Sequence, residues 1–238
     1  MKFYVLLLLL FCVSSAKAND SKFNVTPIAE NVYQHISFLE IEPWGLIGAS
    51  GLVLVEGEDA YLIDTPWTNQ DTQKLIAWVK SKGLNIKGAI VTHFHQDASG
   101  GLLALNNAKI KTYATSLTNK LLREQGREIA NNEINSVTFE FAESALETFY
   151  PGAGHSRDNI VIWLPKQSIL FGGCFVKSLT SKSLGNIADA SVNEWPNSIH
   201  KILNKYPTIQ WVVPGHGKVG GVELLEHTEQ LVIDKIGR

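Results

Sequence analysis

Cysteine is nearly missing from this chain: among 238 residues there are two, Cys12 and Cys174. The first falls in a stretch expected to be removed. Met1 and Lys2 make a positive start, residues 3–13 are almost wholly apolar, and Ala16 and Ala18 form a small-x-small cleavage pattern. We therefore expect a signal peptide at 1–18, a single mature domain at 19–238, and export to the periplasm. Cleavage leaves Cys174 alone, which excludes an intramolecular disulfide in a compartment that would permit one. An unpaired thiol there invites oxidation, and binding a metal as a thiolate protects it. A buried, inert cysteine is the alternative. An excess of one charge is missing as well. Lys and Arg number 21 against 23 Asp and Glu, for a net charge of −2, so the basic footprint of a nucleic-acid binder is absent. After the leader no stretch approaches the roughly 20 apolar residues that span a bilayer. Bulky Phe11 before Cys12 argues against lipoprotein processing, so we expect no membrane anchor. With 45% hydrophobic residues and no disordered bias, the chain has material for one sizeable core, and we expect a monomer.

What the chain does contain is a cluster of metal-binding residue types. An apolar run, Gly88-Ala89-Ile90-Val91-Thr92, leads into His93-Phe94-His95-Gln96-Asp97. Residues i and i+2 of an extended segment face the same side, so His93 and His95 can converge while Asp97 continues the row. Three more potential ligands stand in Gly-flanked turns downstream: His155, Cys174 and His216. Imidazole, carboxylate and thiolate donors suit zinc. Capping of a helix that starts near Ala98 would account for Asp97, though not for the two histidines.

Around these residues, strands are expected at 31–36, 51–55, 60–64, 86–91 and 110–114, with a hairpin turn at 56–59. Helices are expected at 69–82, where Leu75, Ile76 and Val79 recur at helical spacing and Gly83 ends the run, and at 101–105 and 116–125. The second half continues with strands at 137–141, 147–150, 160–164, 168–171 and 211–213, and helices at 192–205 and 222–236. Strands with helices in both halves imply a layered α/β domain. Each candidate ligand falls just past an expected strand, where α/β architectures place their sites. His35, His200 and His227 have no such setting and are assigned structural or surface places.

Five segments together resemble the metallo-β-lactamases, in particular the di-zinc group with a cysteine ligand. They are Leu62-Ile63-Asp64-Thr65-Pro66, Thr92 through Asp97, Tyr150 through His155 with Asp158 and Asn159, Leu170 through Cys174 with Val176 and Lys177, and Val213 through His216. Their order and spacing hold across almost the whole mature chain. The resemblance implies an α/β fold of four layers, an αββα sandwich with metals at one edge. It implies two Zn2+ ions per chain, one held by His93, His95 and His155 and the other by Asp97, Cys174 and His216. It also implies that Lys177 anchors a substrate carboxylate and that Asn186 contacts the carbonyl of a β-lactam. Trp44 and Leu46 then belong to a mobile flap within 40–48, and Trp67 forms the opposite wall. A lone Lys is by default a solvated surface group, and Asn186 can be read as a turn residue after Gly185. Gln96 and Ala98 stand where the family varies, and Arg157 places a charge beside His155.

The implied activity is hydrolysis of the β-lactam ring of penicillins, cephalosporins and carbapenems by a zinc-bound hydroxide aligned in part by Asp97, giving antibiotic resistance. Three neutral imidazoles leave a fourth position for water, which agrees with that chemistry independently. Two rivals remain. A thioesterase or lactonase would use the same scaffold, since fold does not set substrate, but its relatives carry a histidine directly after the aspartate, where this chain has Ala98. A zinc-binding protein without catalysis would need a closed ligand set.

Overall fold

The computed structural model describes residues 22–237, so the expected leader lies outside the described residues. The elements are, in order, β1 (Phe23–Ala29), β2 (Val32–Ile41), β3 (Gly45–Glu56), β4 (Asp59–Ile63), α1 (Asn69–Ser81), β5 (Asn85–Ile90), α2 (Gln96–Ser99), α3 (Leu102–Asn107), β6 (Thr112–Thr115), α4 (Ser116–Glu124), β7 (Asn132–Ile134), β8 (Thr138–Phe141), β9 (Leu146–Phe149), β10 (Val161–Leu164), β11 (Ile169–Gly173), α5 (Trp195–Lys205), β12 (Trp211–Pro214) and α6 (Glu223–Ile236). They form a seven-stranded sheet in the order β1 to β7 and a five-stranded sheet in the order β12-β11-β10-β9-β8.

Side-chain alternation along the strands sorts the chain into four layers. In β3, Leu52 and Leu54 face inward to meet Ile162, Leu164, Phe171 and Val213 of the second sheet. Val53 and Val55 point the other way, onto Leu75, Ile76 and Val79 of α1. The outer face of the second sheet, with Val161, Trp163 and Val212, is covered by Trp195, Ile199 and Ile202 of α5 and Leu224 and Leu225 of α6. A period of two along a strand buried on both faces produces this division, and the expected αββα sandwich is the fold.

Strand direction then decides where the loops meet. β4 runs parallel to β5, and β3 runs antiparallel to β4. In the second sheet, β9 and β11 both lie antiparallel to β10, and β12 is parallel to β11. The carboxyl ends of β4, β5, β9, β11 and β12 and the β2–β3 turn therefore gather at one rim, where Ser50 N donates to Gly215 O at 2.8 Å.

Two strands escape the sequence pattern. β1 contains Pro27 and a register shift beside it, which an edge strand tolerates and a central one does not. β7 is three residues long and mostly polar. The flap expected within 40–48 is a hairpin whose paired strands reach Ile41 and Gly45, and Trp44 at its tip is 62% exposed.

His35, on β2, is buried against Gly51, where a Cβ would stand 2.3 Å from its Nε2. Burial pulls its imidazole from 6.5 down to about 4. The unfolded chain takes up a proton below about pH 6.5 and the folded chain resists it, so this contribution is intact above that pH. It is lost as pH falls toward 4, by up to about 3 kcal/mol. In urea unfolding between pH 7 and 4.5 with chelator present, His35→Gln is expected to flatten the fall in stability. An unchanged slope would show that His35 is not its source.

Candidate metal centre

At this rim the six expected donors meet. His93, His95 and Asp97 leave the end of β5 on one short segment. His155 comes from the β9–β10 loop, Cys174 directly follows β11, and His216 follows β12. Two close approaches make the turns possible. Gly173 has φ +52, a left-handed conformation that glycine adopts without strain, and it releases Cys174 toward the rim. A Cβ on Gly215 would stand 2.6 Å from Cys174 Sγ, so the Pro214-Gly215-His216 turn reaches the thiol only with glycine there.

The donor atoms form two contiguous groups. His95 Nδ1 lies 3.0 Å from His155 Nε2, and the ligand atoms of His93, His95 and His155 all fall within 4.8 Å of one another. On the other side, Asp97 Oδ2 is 3.0 Å from Cys174 Sγ and 3.0 Å from His216 Nε2, and those two are 3.3 Å apart. His93 Nε2 and Asp97 Oδ1 face each other at 3.4 Å, buried and without a hydrogen-bond partner. Tetrahedral zinc with ligands at roughly 2.0–2.3 Å spaces them roughly 3.3–3.7 Å apart. Buried polar atoms left unpaired are costly by themselves, and a cation among the three imidazoles satisfies His93 Nε2. The residues present therefore fit zinc in both groups.

Electrostatics point the same way. Burial, then Lys177 and the neighbouring imidazoles, hold His155 well below its ordinary value, so its lone pair is free at neutral pH. Burial opposes ionisation of Asp97, but its contacts with the His216 and His93 imidazoles outweigh it and hold the carboxyl well below the usual range. Burial and Asp97 push the Cys174 thiol well above its ordinary value, so a dication binding there displaces a proton from sulfur.

The outer nitrogens of three imidazoles are tied down. His216 Nδ1 donates to Gly48 O at 2.7 Å, which anchors it to the hairpin. His95 Nε2 is 3.0 Å from Asp189 Oδ2, a carboxylate on the same loop as Asn186. His93 Nδ1 is 3.2 Å from Thr92 Oγ1. That hydroxyl donates to Asp64 Oδ2 at 2.8 Å, while Thr92 N donates to Asp64 Oδ1 at 2.7 Å. Thr92 thus accepts from His93 Nδ1–H, which leaves Nε2 as the free lone pair. Such outer partners set tautomer and ring orientation. Neither Asp64 nor Asp189 stands near the donors along the chain, so no local sequence signal marks them for this role.

Above the donors lies a cavity of about 360 Å³ whose lining includes Ile41, Trp44, Ile47 and Trp67 on one side and Lys177, Leu184 and Asn186 on the other. Its volume suits a small organic ligand. Lys177 is buried, and burial lowers its ammonium from the ordinary value. Asn186 Oδ1 accepts from Ala188 N at 3.0 Å, which leaves its NH2 as a donor. Trp67 is buried and stacks beside His216, with ring centroids 6.3 Å apart. Leu46, beyond the hairpin turn, is 50% exposed. Arg157 is exposed beside His155.

Comparison with known proteins gives concordant findings. A family profile described as the metallo-beta-lactamase superfamily matches residues 44–216. A metallo-beta-lactamase type 2 of Pseudomonas aeruginosa is 41% identical over 228 residues, covering 95% of this chain and 92% of that protein. One of Bacteroides fragilis is 38% identical over 236 residues, covering 96% and 94%. The crystal structure of VMB-1 superposes with a TM-score of 0.89 at 58% identity, covering 90% of this chain and 98% of that one.

Proposed function

The chain belongs to the metallo-β-lactamase superfamily, and from that premise we propose that it is a zinc hydrolase that opens the β-lactam ring of penicillins, cephalosporins and carbapenems and so confers resistance to them. The observation that carries the reading is the pair of adjoining donor groups, three imidazoles beside a carboxylate, thiolate and imidazole, at the floor of an amphipathic cavity. His93, His95 and His155 hold one ion, and Asp97, Cys174 and His216 hold the other. When bound there, zinc lowers the pKa of a water to near 7 and polarises a carbonyl.

The chain's own residues do the rest. The Lys177 ammonium, at one wall of the cavity, takes the carboxylate of the antibiotic. Trp44, Ile47 and Trp67 cover its apolar substituents and exclude water. The Asn186 NH2 donates to the lactam carbonyl as negative charge develops on oxygen, a stabilisation that counts most in a water-poor cavity. Asp97 Oδ1, on the His93 side of the carboxylate, is placed to orient the attacking water by accepting a hydrogen bond from it. Water adds across the ring amide, oxygen to carbon and hydrogen to nitrogen, and the C–N bond breaks without a covalent enzyme intermediate. Location in the periplasm, supported by the leader-like pattern at 1–18, and action as a monomer belong to this proposal.

The test is hydrolysis of a chromogenic cephalosporin by zinc-loaded protein, lost on chelation and regained on adding zinc. Cleavage of thioesters with no opening of any β-lactam, at the same zinc loading, would assign the scaffold to the rival reading.

A further inference from the structure

We propose that Arg127 is a positioning residue for the metal centre: its guanidinium clamps the peptide between His93 and His95 and the helical turn that carries Asp97, so that one side chain sets the donor geometry of both zinc ions. This rests on the zinc reading above. It adds a residue outside every segment that carries the resemblance.

The clamp is read from hydrogen bonds. Arg127 Nη1 donates to Phe94 O at 2.6 Å and Nη2 donates to Ser99 Oγ at 2.9 Å. Ser99 Oγ is in turn within donating distance of Phe94 O at 2.9 Å and His95 O at 2.7 Å. Phe94 O belongs to the residue between the two histidines, and Ser99 ends the turn that begins at Gln96 and contains Asp97. The planar guanidinium fork thus grips both ends of the donor segment. Two donors at a fixed angle restrict orientation in a way that a single ammonium does not.

Local sequence explains how Arg127 arrives there. α4 ends in a left-handed glycine, Gly126 at φ +65. Gly126 N bonds Arg123 O at 3.0 Å, and Arg127 N bonds Leu122 O at 2.9 Å. This is the Schellman pattern that closes a helix and reverses the chain. Leu121 and Leu122 of the same helix pack in one cluster with Phe94, Ala98 and Leu102. The helix end is therefore seated on the donor segment, and the first residue after the glycine turns back onto it. Arg127 is half-buried, and burial lowers its pKa while the charge of Asp97 opposes that shift. The guanidinium and that ligand thus feel each other electrostatically.

Charge and geometry predict opposite signs for its removal. A cation near a dication repels it, so if Arg127 acted by charge alone, deleting it would tighten zinc binding. If it acts by holding the donors, deletion weakens binding. Partners that orient metal ligands change affinity by about 10–100-fold when removed, and Arg127 acts one bond further out, through the backbone.

The experiment is competition for zinc between the protein and a chromogenic chelator at fixed pH and ionic strength, with the visible spectrum of the cobalt(II)-substituted protein as a second readout. Arg127→Ala is expected to raise the dissociation constant of at least one ion by about tenfold and to shift the cobalt bands. Arg127→Lys, which keeps the charge but not the fork, is expected to recover only part of the affinity. Ser99→Ala, which removes the other end of the clamp, supplies the same comparison if Arg127→Ala does not fold. Wild-type affinity and an unchanged cobalt spectrum in the folded variants, or tighter binding in Arg127→Ala, overturn the proposal. Failure of the wild-type protein to bind zinc would instead overturn the function proposed above.

Discussion

Replacing His155 with alanine is expected to lower kcat/KM for a β-lactam by on the order of a thousandfold or more, equivalent to about 4 kcal/mol of transition-state stabilisation. His155 is the one member of the imidazole group that does not come from the β5 loop; it descends from the β9–β10 loop of the other sheet. Without it, His93 and His95 remain as two donors on one segment, and a site that needs three protein ligands to hold an ion while leaving a place for water is broken. Its neighbours make the loss local. His155 is buried, its Nε2 is 3.0 Å from His95 Nδ1 and its ring lies 6.1 Å from that of Trp195, so the variant opens a small cavity beneath the rim and leaves both sheets intact. Steady-state kinetics with zinc stoichiometry by elemental analysis checks this. A variant that keeps two zinc ions and loses less than tenfold in kcat/KM would remove His155 from the ligand set.

Stripping both zinc ions is expected to lower the melting temperature by at least about 10 °C, the contribution of a single site. The six donors come from four loops of two sheets, so an ion binds the folded state and finds no such cluster in the unfolded one. Free zinc at a thousand times the dissociation constant then stabilises by about 4 kcal/mol per site. A chain of this size shifts by roughly 2–4 °C for each kcal/mol, so one such site corresponds to roughly 8–16 °C. The sign with pH follows from Cys174. Burial and Asp97 keep its thiol protonated well above the ordinary range, and the ion must displace that proton. The zinc-dependent part of the stability therefore shrinks as pH falls. Scanning calorimetry with zinc and with chelator, at two pH values, measures both effects. A difference below about 2 °C at saturating zinc would mean that the donors do not bind as a unit.

Much of this molecule could be read along the chain because its signals are local. Helix α1 was expected at 69–82 and spans Asn69–Ser81, since the spacing of Leu75, Ile76 and Val79 is a property of consecutive residues. The central strands were legible for the same reason. β1 and β7 were not, because a proline-bearing edge strand and a three-residue polar strand owe their pairing to neighbours more than to their own composition. The hairpin at 41–45 read as a loop because Glu42 and Pro43 interrupt the pattern, whereas the strands on either side pair in register up to that turn.

The candidate site divides in the same manner. Which residues carry donors was written in His93, His95, Asp97, His155, Cys174 and His216, together with the glycines that let their turns approach. What holds those donors in place was not: Asp64 through Thr92, Asp189 on the Asn186 loop, and Arg127 behind the segment are 28, 94 and 33 residues from the partners they bond.

The amino-acid order by itself determined the chemistry available, the alternation that splits buried strands between two faces, and the turns in which each donor sits. Tertiary structure alone decided that those turns share one rim, through the relative directions of β4, β5, β9, β11 and β12, and that each ring points its free nitrogen inward. The reason is physical: periodicity and turn preference are energies of neighbouring residues, whereas strand direction and hydrogen bonds across dozens of residues exist only once two sheets have packed against each other.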